Sequence, residues 1–186
     1  MEYYTLKICG LERKLPLIKV GRKTSIASFS ILGDVELTDA LADEITKKAK
    51  KFKFDCVVGP EVKAVPLVHG VAKRLGHKRF VICRKSIKPY MTSPIVVQPL
   101  NHFPKHTKPL VLNGPDAEFL EGKKVLVVDD VISTGVTMRM ISYLMTKIHA
   151  EVVGYLVVLR QGEQFDEFKN LDYLAELPVF KKEYST

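Results

Sequence analysis

The chemistry in this sequence concentrates in one segment, Lys124 to Met138, which reads KVLVVDDVISTGVTM. A hydrophobic run delivers Asp129 and Asp130 to its carboxyl end, and a turn rich in Ser, Thr and Gly then opens onto a helical stretch. That succession of residue types suits a phosphorylated sugar. Backbone N–H groups of Ile132 to Thr137 can wrap a phosphate, Gly135 permits an approach that a side chain would block, and a helix N-terminus adds partial positive charge. Ser133, Thr134 and Thr137 bring hydroxyl donors. The two carboxylates cannot bind phosphate, because like charges repel. Their natural partners are ribose hydroxyls and a bound metal, since Mg²⁺ prefers oxygen ligands and keeps several waters. The plainer alternative is a buried strand followed by a capping turn, with both acids solvated.

Other chemically capable side chains form no comparable pattern. His69, His77, His102, His106 and His149 show no metal-ligand spacing such as HExxH and read as structural or surface residues. Cys9, Cys56 and Cys83 are widely spaced, giving neither a CxxC metal site nor a disulfide framework. Cys56 and Cys83 lie in apolar runs and read as buried small hydrophobes.

The elements that must position the acidic segment follow from periodicity. Leu41, Ile45, Ala49 and Phe52 recur at helical spacing between Thr38 and Phe52, with Thr38 as the expected N-cap and Asp39 in the first turn. Asp55 to Val58 reads as a short strand ending at Gly59-Pro60, and a helix is expected from Pro66 to Leu75, closed by Gly76. Phe80 to Cys83 reads as another strand. Val125 to Asp130 is a continuous apolar run, as in a strand covered on both faces of a parallel sheet. Thr137 to Ile148 resumes helical periodicity, and Val152 to Leu159 supplies one more buried strand. Strands alternating with helices imply a parallel, doubly wound sheet, in which ligands collect at the carboxyl ends of the strands.

Between two core strands, Ser86 to Gly122 has no sustained periodicity and contains Pro89, Pro94, Pro99, Pro104, Pro109 and Pro115. Such segments are functional lids or linkers, and the position favours a lid. Short strand pieces are expected at Ile95 to Val97 and Leu110 to Leu112.

A length of 186 residues fits one domain with a full core. No apolar run approaches the roughly 20 residues that span a bilayer, and the opening Met-Glu-Tyr-Tyr lacks the basic start of a secretory signal. A soluble, cytoplasmic protein with no membrane partner is expected. The formal charge of +8 points to a negative partner, either a nucleic acid or a small polyanion. The run KKAKKFK, Lys47 to Lys53, sits at a helix end, where cations favour the macrodipole. Lys63, Arg84, Lys85 and Lys88 lie beside predicted strand ends, which suits a local anion site better than a nucleic-acid stripe.

VLVVDDVISTGVT resembles the phosphoribosyl pyrophosphate signature of type I phosphoribosyltransferases. The resemblance implies an α/β fold with a central, mostly parallel sheet flanked by helices, a small hood from roughly 1–36 and 160–186, and a flexible lid over roughly 86–110. It implies that Asp129 and Asp130 hold the ribose hydroxyls, directly or through metal-bound water, while Val131, Ile132, Ser133, Thr134, Gly135, Val136 and Thr137 form the sugar-phosphate loop. VVGPEVKAVP resembles the family's pyrophosphate loop, with Glu61, Val62, Lys63 and Ala64 approaching the diphosphate; the family often has Gly where Ala64 stands. VICRKSIKPY resembles a strand and basic pair of the adenine and xanthine enzymes, which places Arg84 and Lys85 near the departing pyrophosphate.

ASFSILGDVELTDALADEI resembles the hood segment of adenine phosphoribosyltransferases. Phe29 stands near the aromatic position, either to stack on a purine or to fill the core, and Ser30 and Ile31 replace the family's charged pair. The implied activity is Mg²⁺-dependent transfer of a phosphoribosyl group to a nucleobase, a purine such as adenine or xanthine, by a homodimer. Asp130 or Glu61 is the expected proton acceptor, and Lys85 the expected stabiliser of the leaving group. The alternative is a regulatory homologue that binds the same sugar diphosphate and contacts nucleic acid.

Overall fold

The computed structural model describes residues 2–21, 23–100, 103–162 and 165–181. His102, parts of the expected lid (101–102) and parts of the expected hood (1, 22, 163–164, 182–186) lie outside the described residues.

The core is a five-stranded parallel sheet in the order β10-β9-β8-β4-β5, built from β4 (Cys56–Pro60), β5 (Val81–Cys83), β8 (Lys124–Ile132), β9 (Glu151–Arg160) and β10 (Leu171–Glu176). The middle strand β8 shows why its sequence carries no alternation. Val125 and Val127 pack on one face with Met138, Ile141 and Leu144 of helix α4 (Val136–Lys147). Leu126 and Val128 pack on the other with α1 (Val35–Ala49) and α2 (Val65–Arg74), through Leu41, Ile45, Leu67 and Val71. With both faces covered, every position from Val125 to Val128 must be apolar. Close approach of α2 to the sheet requires Gly59. A Cβ there would lie 2.5 Å from Val68 Cγ2 and 2.7 Å from the Val128 carbonyl oxygen.

A separate four-stranded antiparallel sheet, in the order β1-β2-β3-β11, forms the hood from β1 (Tyr3–Ile8), β2 (Leu11–Lys19), β3 (Thr24–Ala27) and β11 (Val179–Lys181). The expected carboxyl-terminal hood segment therefore divides. Leu171–Glu176 extends the core sheet through its parallel pairing with β9, and among the described residues only Val179–Lys181 joins the hood strands.

Helix α1 begins earlier than the sequence spacing predicts. Asp34 is its N-cap, accepting a hydrogen bond from the Leu37 N–H at 3.0 Å, and Glu36 rather than Asp39 occupies the first turn. Leu37 is 1% exposed and extends the buried stripe back by one turn, so the helix gains from starting before Thr38. The Thr38 hydroxyl instead donates to the Ile31 carbonyl at 3.0 Å.

The Pro-rich stretch carries more structure than its composition predicts. Ile95–Val97 and Leu110–Leu112 are strands as expected, paired antiparallel as β6 and β7. A short helix, α3 (Gly114–Leu120), follows, with a proline in its first turn, where a missing N–H is harmless. Arg84 and Val111 exchange backbone hydrogen bonds at 2.7 and 2.8 Å, anchoring this excursion to the strand that carries the basic pair.

Candidate active site

The strand order fixes where a ligand belongs. From β4 the chain moves outward to β5, returns to β8 on the other side of β4, and then proceeds to β9 and β10. The order reverses between β4 and β8, and the carboxyl ends of strands at such a switch point frame a crevice. There the loop Glu61 to Ala64 faces Asp129 to Thr137. Together with the hood they line a cavity of about 520 Å³, whose wall includes Phe29, Glu61, Val62, Lys63, Ala64, Lys85, Asp129, Asp130, Val131, Ser133 and Thr137.

Strand β8 continues two residues beyond the acids and ends at Ile132, and Gly135 starts α4. Gly135 has φ +72°, and a Cβ would meet Phe168 Cε2 at 2.9 Å, so both conformation and space call for glycine. No side chain caps α4. Its first-turn N–H groups thus keep their capacity for an anion, the arrangement that binds phosphate at helix N-termini.

Asp129 and Asp130 are 6% and 4% exposed. Each accepts from the next residue's backbone: Asp129 Oδ1 from the Asp130 N–H at 2.8 Å, and Asp130 Oδ1 from the Val131 N–H at 2.9 Å. Burial, and then the charge of Asp130, pushes the Asp129 carboxyl well above the usual carboxylate range. Lys63 opposes this from across the crevice. Its Nζ stands 2.6 Å from Asp130 Oδ2 and donates to the Phe29 carbonyl at 3.3 Å, so one ammonium joins the loop Glu61 to Ala64, the acids and the hood. Asp130 Oδ2 is itself buried, and the Lys63 ammonium is the charge it faces.

Glu61 is committed on both oxygens. Its carboxylate pairs with the Arg84 guanidinium, and Oε1 accepts from the Lys85 N–H at 2.7 Å. Its geometry ties Arg84 and Lys85 to the loop Glu61 to Ala64 rather than offering an open proton acceptor. Phe29 is 6% exposed and belongs to the hood-side core while also lining the cavity, so packing accounts for most of its surface. The loop residue Ala64, where the family often has glycine, is buried at the N-cap of α2 in ordinary right-handed conformation.

Some contributors were not found by sequence reasoning. His106 and Lys108 from the Pro-rich stretch, with Lys85, Ser133, Thr134 and Thr137, line a second cavity of about 320 Å³ against the same loop. Their flanking prolines gave no periodic signal. Gln161, just beyond β9, lines the main cavity, and only its place after a core strand hinted at a site role. Among the described residues no cluster of three or more His, Cys, Asp or Glu side chains is arranged for a metal ion.

A sequence model described as "Phosphoribosyl transferase domain" matches residues 33–180, spanning α1 through most of β11 and both loops of the crevice. The chain belongs to this phosphoribosyltransferase family. It is 30% identical over 125 residues to an adenine phosphoribosyltransferase of Pseudothermotoga lettingae, covering 67% of this chain and 69% of that protein. It is 32% identical over 129 residues to HGPRTase-like protein 3 of Haloterrigena turkmenica, covering 69% of this chain and 64% of that one. A crystal structure of adenine phosphoribosyltransferase from Thermoanaerobacter pseudethanolicus superposes with a TM-score of 0.66 at 18% identity, over 87% of this chain and 95% of that one. The phosphoribosyltransferase fold, with its parallel sheet flanked by helices, is thereby established. Among the described residues, no helix is long and apolar enough to cross a membrane.

Proposed function

We propose that this phosphoribosyltransferase transfers the 5-phosphoribosyl group of phosphoribosyl pyrophosphate to a purine base, adenine first among them, giving a nucleoside monophosphate and pyrophosphate. The observation that carries the reading is the uncapped start of α4 beside two buried acids at the switch point of the sheet. In this reading Val131 to Thr137 hold the 5-phosphate, and Asp129 and Asp130 hold the ribose hydroxyls. Val62, Lys63 and Ala64 face the diphosphate with Arg84 and Lys85. Relatives named adenine phosphoribosyltransferase favour adenine over xanthine.

The reaction forms a bond from a ring nitrogen to the anomeric carbon as the bond from that carbon to pyrophosphate breaks, with inversion. The chain need supply no covalent nucleophile. Orientation of the base and stabilisation of charge on the leaving diphosphate carry the rate, and in this reading Lys63 and Lys85, which line the cavity, serve the second together with backbone donors. Asp130 is the remaining candidate to receive the proton from the base, because Glu61 is held by Arg84 and the Lys85 backbone. The donor set also fits Mg²⁺. Two adjacent carboxylates, completed by substrate oxygens and water, match its preferences once Lys63 turns from Asp130 to the diphosphate, and the ion would supply charge neutralisation there.

The test is release of pyrophosphate when the protein is mixed with Mg²⁺, phosphoribosyl pyrophosphate and each of adenine, hypoxanthine, guanine, xanthine and orotate. Release with adenine is expected. Silence with every base, alongside retained binding of the sugar diphosphate, would instead indicate an effector-binding protein. The family resemblance also implies a homodimer, which sedimentation equilibrium would test.

A further inference from the structure

The hood side of the cavity has an apolar wall, from Ile26, Phe29 and Leu177, and one polar side chain whose role is not explained by packing, Gln161. Gln161 is 8% exposed, and its Nε2 is shielded from solvent with no hydrogen-bond partner among the described residues. Buried donors left unpaired are rare, because the lost hydration is not replaced. Asp130 Oδ2 in the same cavity also has no hydrogen-bond donor but faces the Lys63 ammonium at 2.6 Å, whereas no charged group is paired with the Gln161 carboxamide among the described residues.

Position is fixed as firmly as chemistry. The Gln161 N–H donates to the Ile132 carbonyl at 2.8 Å, tying the residue to the end of the strand that carries Asp129 and Asp130. One residue earlier, the Arg160 carbonyl accepts from the Leu177 N–H at 2.8 Å, which docks the crossover into the hood alongside. Gln161 therefore sits where the ribose end of the cavity meets the apolar hood wall, the place a base attached to the anomeric carbon must occupy.

We propose that Gln161 is a specificity-determining residue for the acceptor base, reading with its carboxamide a purine edge that presents a hydrogen-bond donor beside an acceptor. The proposal rests on the phosphoribosyl-transfer reading above and names the edge that the site takes. A carboxamide carries two donors and an acceptor in one plane, and its ends exchange by rotation, so it can meet such an edge in either sense. The 6-amino group and adjacent ring nitrogen of adenine form that edge, and glutamine pairs with adenine in this bidentate way elsewhere. Ile26, Phe29 and Leu177 supply the apolar faces that an otherwise flat ring requires.

The experiment compares adenine with unsubstituted purine, which lacks the 6-amino group, in the intact protein and two variants. Gln161→Met keeps length and removes both hydrogen-bonding atoms; Gln161→Glu keeps an acceptor for the amino group. Thermal melts confirm that each variant folds. Wild type is expected to prefer adenine, by kcat/KM, about tenfold or more. Gln161→Met should bring that ratio close to one while leaving KM for phosphoribosyl pyrophosphate within about twofold, and Gln161→Glu should retain most of the preference. An adenine-to-purine ratio unchanged in Gln161→Met overturns the proposal while the transfer reading stands. A wild-type protein that releases no pyrophosphate with any base overturns both, and one that accepts only bases lacking a 6-amino group overturns the adenine edge assigned to Gln161.

Discussion

Lys63 and Asp130 form a bridge across the crevice, Nζ to Oδ2 at 2.6 Å, between the loop Glu61 to Ala64 and the paired acids of β8. The ammonium is 41% exposed while the carboxylate is 6% exposed, so the pair joins a partly solvated cation to a desolvated anion. Substrate can draw the cation onto its diphosphate without disturbing the strand.

Lys63→Ala should accordingly lose leaving-group stabilisation and uncover the acidic pair. Turnover is expected to fall by about 10²–10³-fold, the range seen when a charge-stabilising donor is removed. Steady-state kinetics with phosphoribosyl pyrophosphate varied at saturating base checks this, and a change below twofold would remove Lys63 from the site.

Asp129→Asn should separate stability from function. Burial and the neighbouring Asp130 charge raise the Asp129 carboxyl, so the native state favours its protonated form. The stabilisation from that preference is complete below the unfolded value of about 4 and is lost as pH rises through the native value. An amide does not ionise. In the absence of metal and substrate the variant should therefore melt higher than wild type near neutral pH, with the gap closing toward about pH 4, and it should lack turnover. Calorimetry across pH gives the comparison.

Gly135→Ala strains the phosphate loop directly. A left-handed alanine costs about 1–2 kcal/mol, and its Cβ would press on Phe168 Cε2 at 2.9 Å. The melting temperature should drop by about 2–8 °C, with KM for phosphoribosyl pyrophosphate raised more than KM for the base.

The thiols should be quiet. Burial pushes Cys56 up to about 11 and Cys83 up to about 12, and it raises the partly buried Cys9 as well. A disulfide reagent near neutral pH is expected to label neither Cys56 nor Cys83 until denaturant is added, since the thiolate is the reactive form. Mass spectrometry of native and unfolded protein reads the sites.

Much of this site was legible because its residues obey local rules. The run Val125 to Asp130 is apolar for the reason a strand covered on both faces must be, and Gly135 stands where a left-handed turn admits a helix start. The hood was less legible. In β1, Leu6 and Ile8 are buried among exposed neighbours, and β1 and β2 are joined through Cys9 and Gly10, both at positive φ. Cys-Gly is not a strong hairpin signal, so nothing local announced the turn. The start of α1 was misplaced because Thr38 and Asp34 are both good caps, and tertiary burial of Leu37 decides between them. Gln161 escaped notice for a different reason. The role proposed for it rests on an unpaired buried atom and on its backbone hydrogen bond to Ile132, neither readable from spacing.

The most direct test is a crystal structure of the protein with Mg²⁺ and phosphoribosyl pyrophosphate. The 5-phosphate is expected on the backbone of Ser133 to Thr137, with the ribose hydroxyls on Asp129 and Asp130 and the diphosphate toward Lys63. Ligand density elsewhere, with the loop collapsed onto its own side chains, would contradict the assignment.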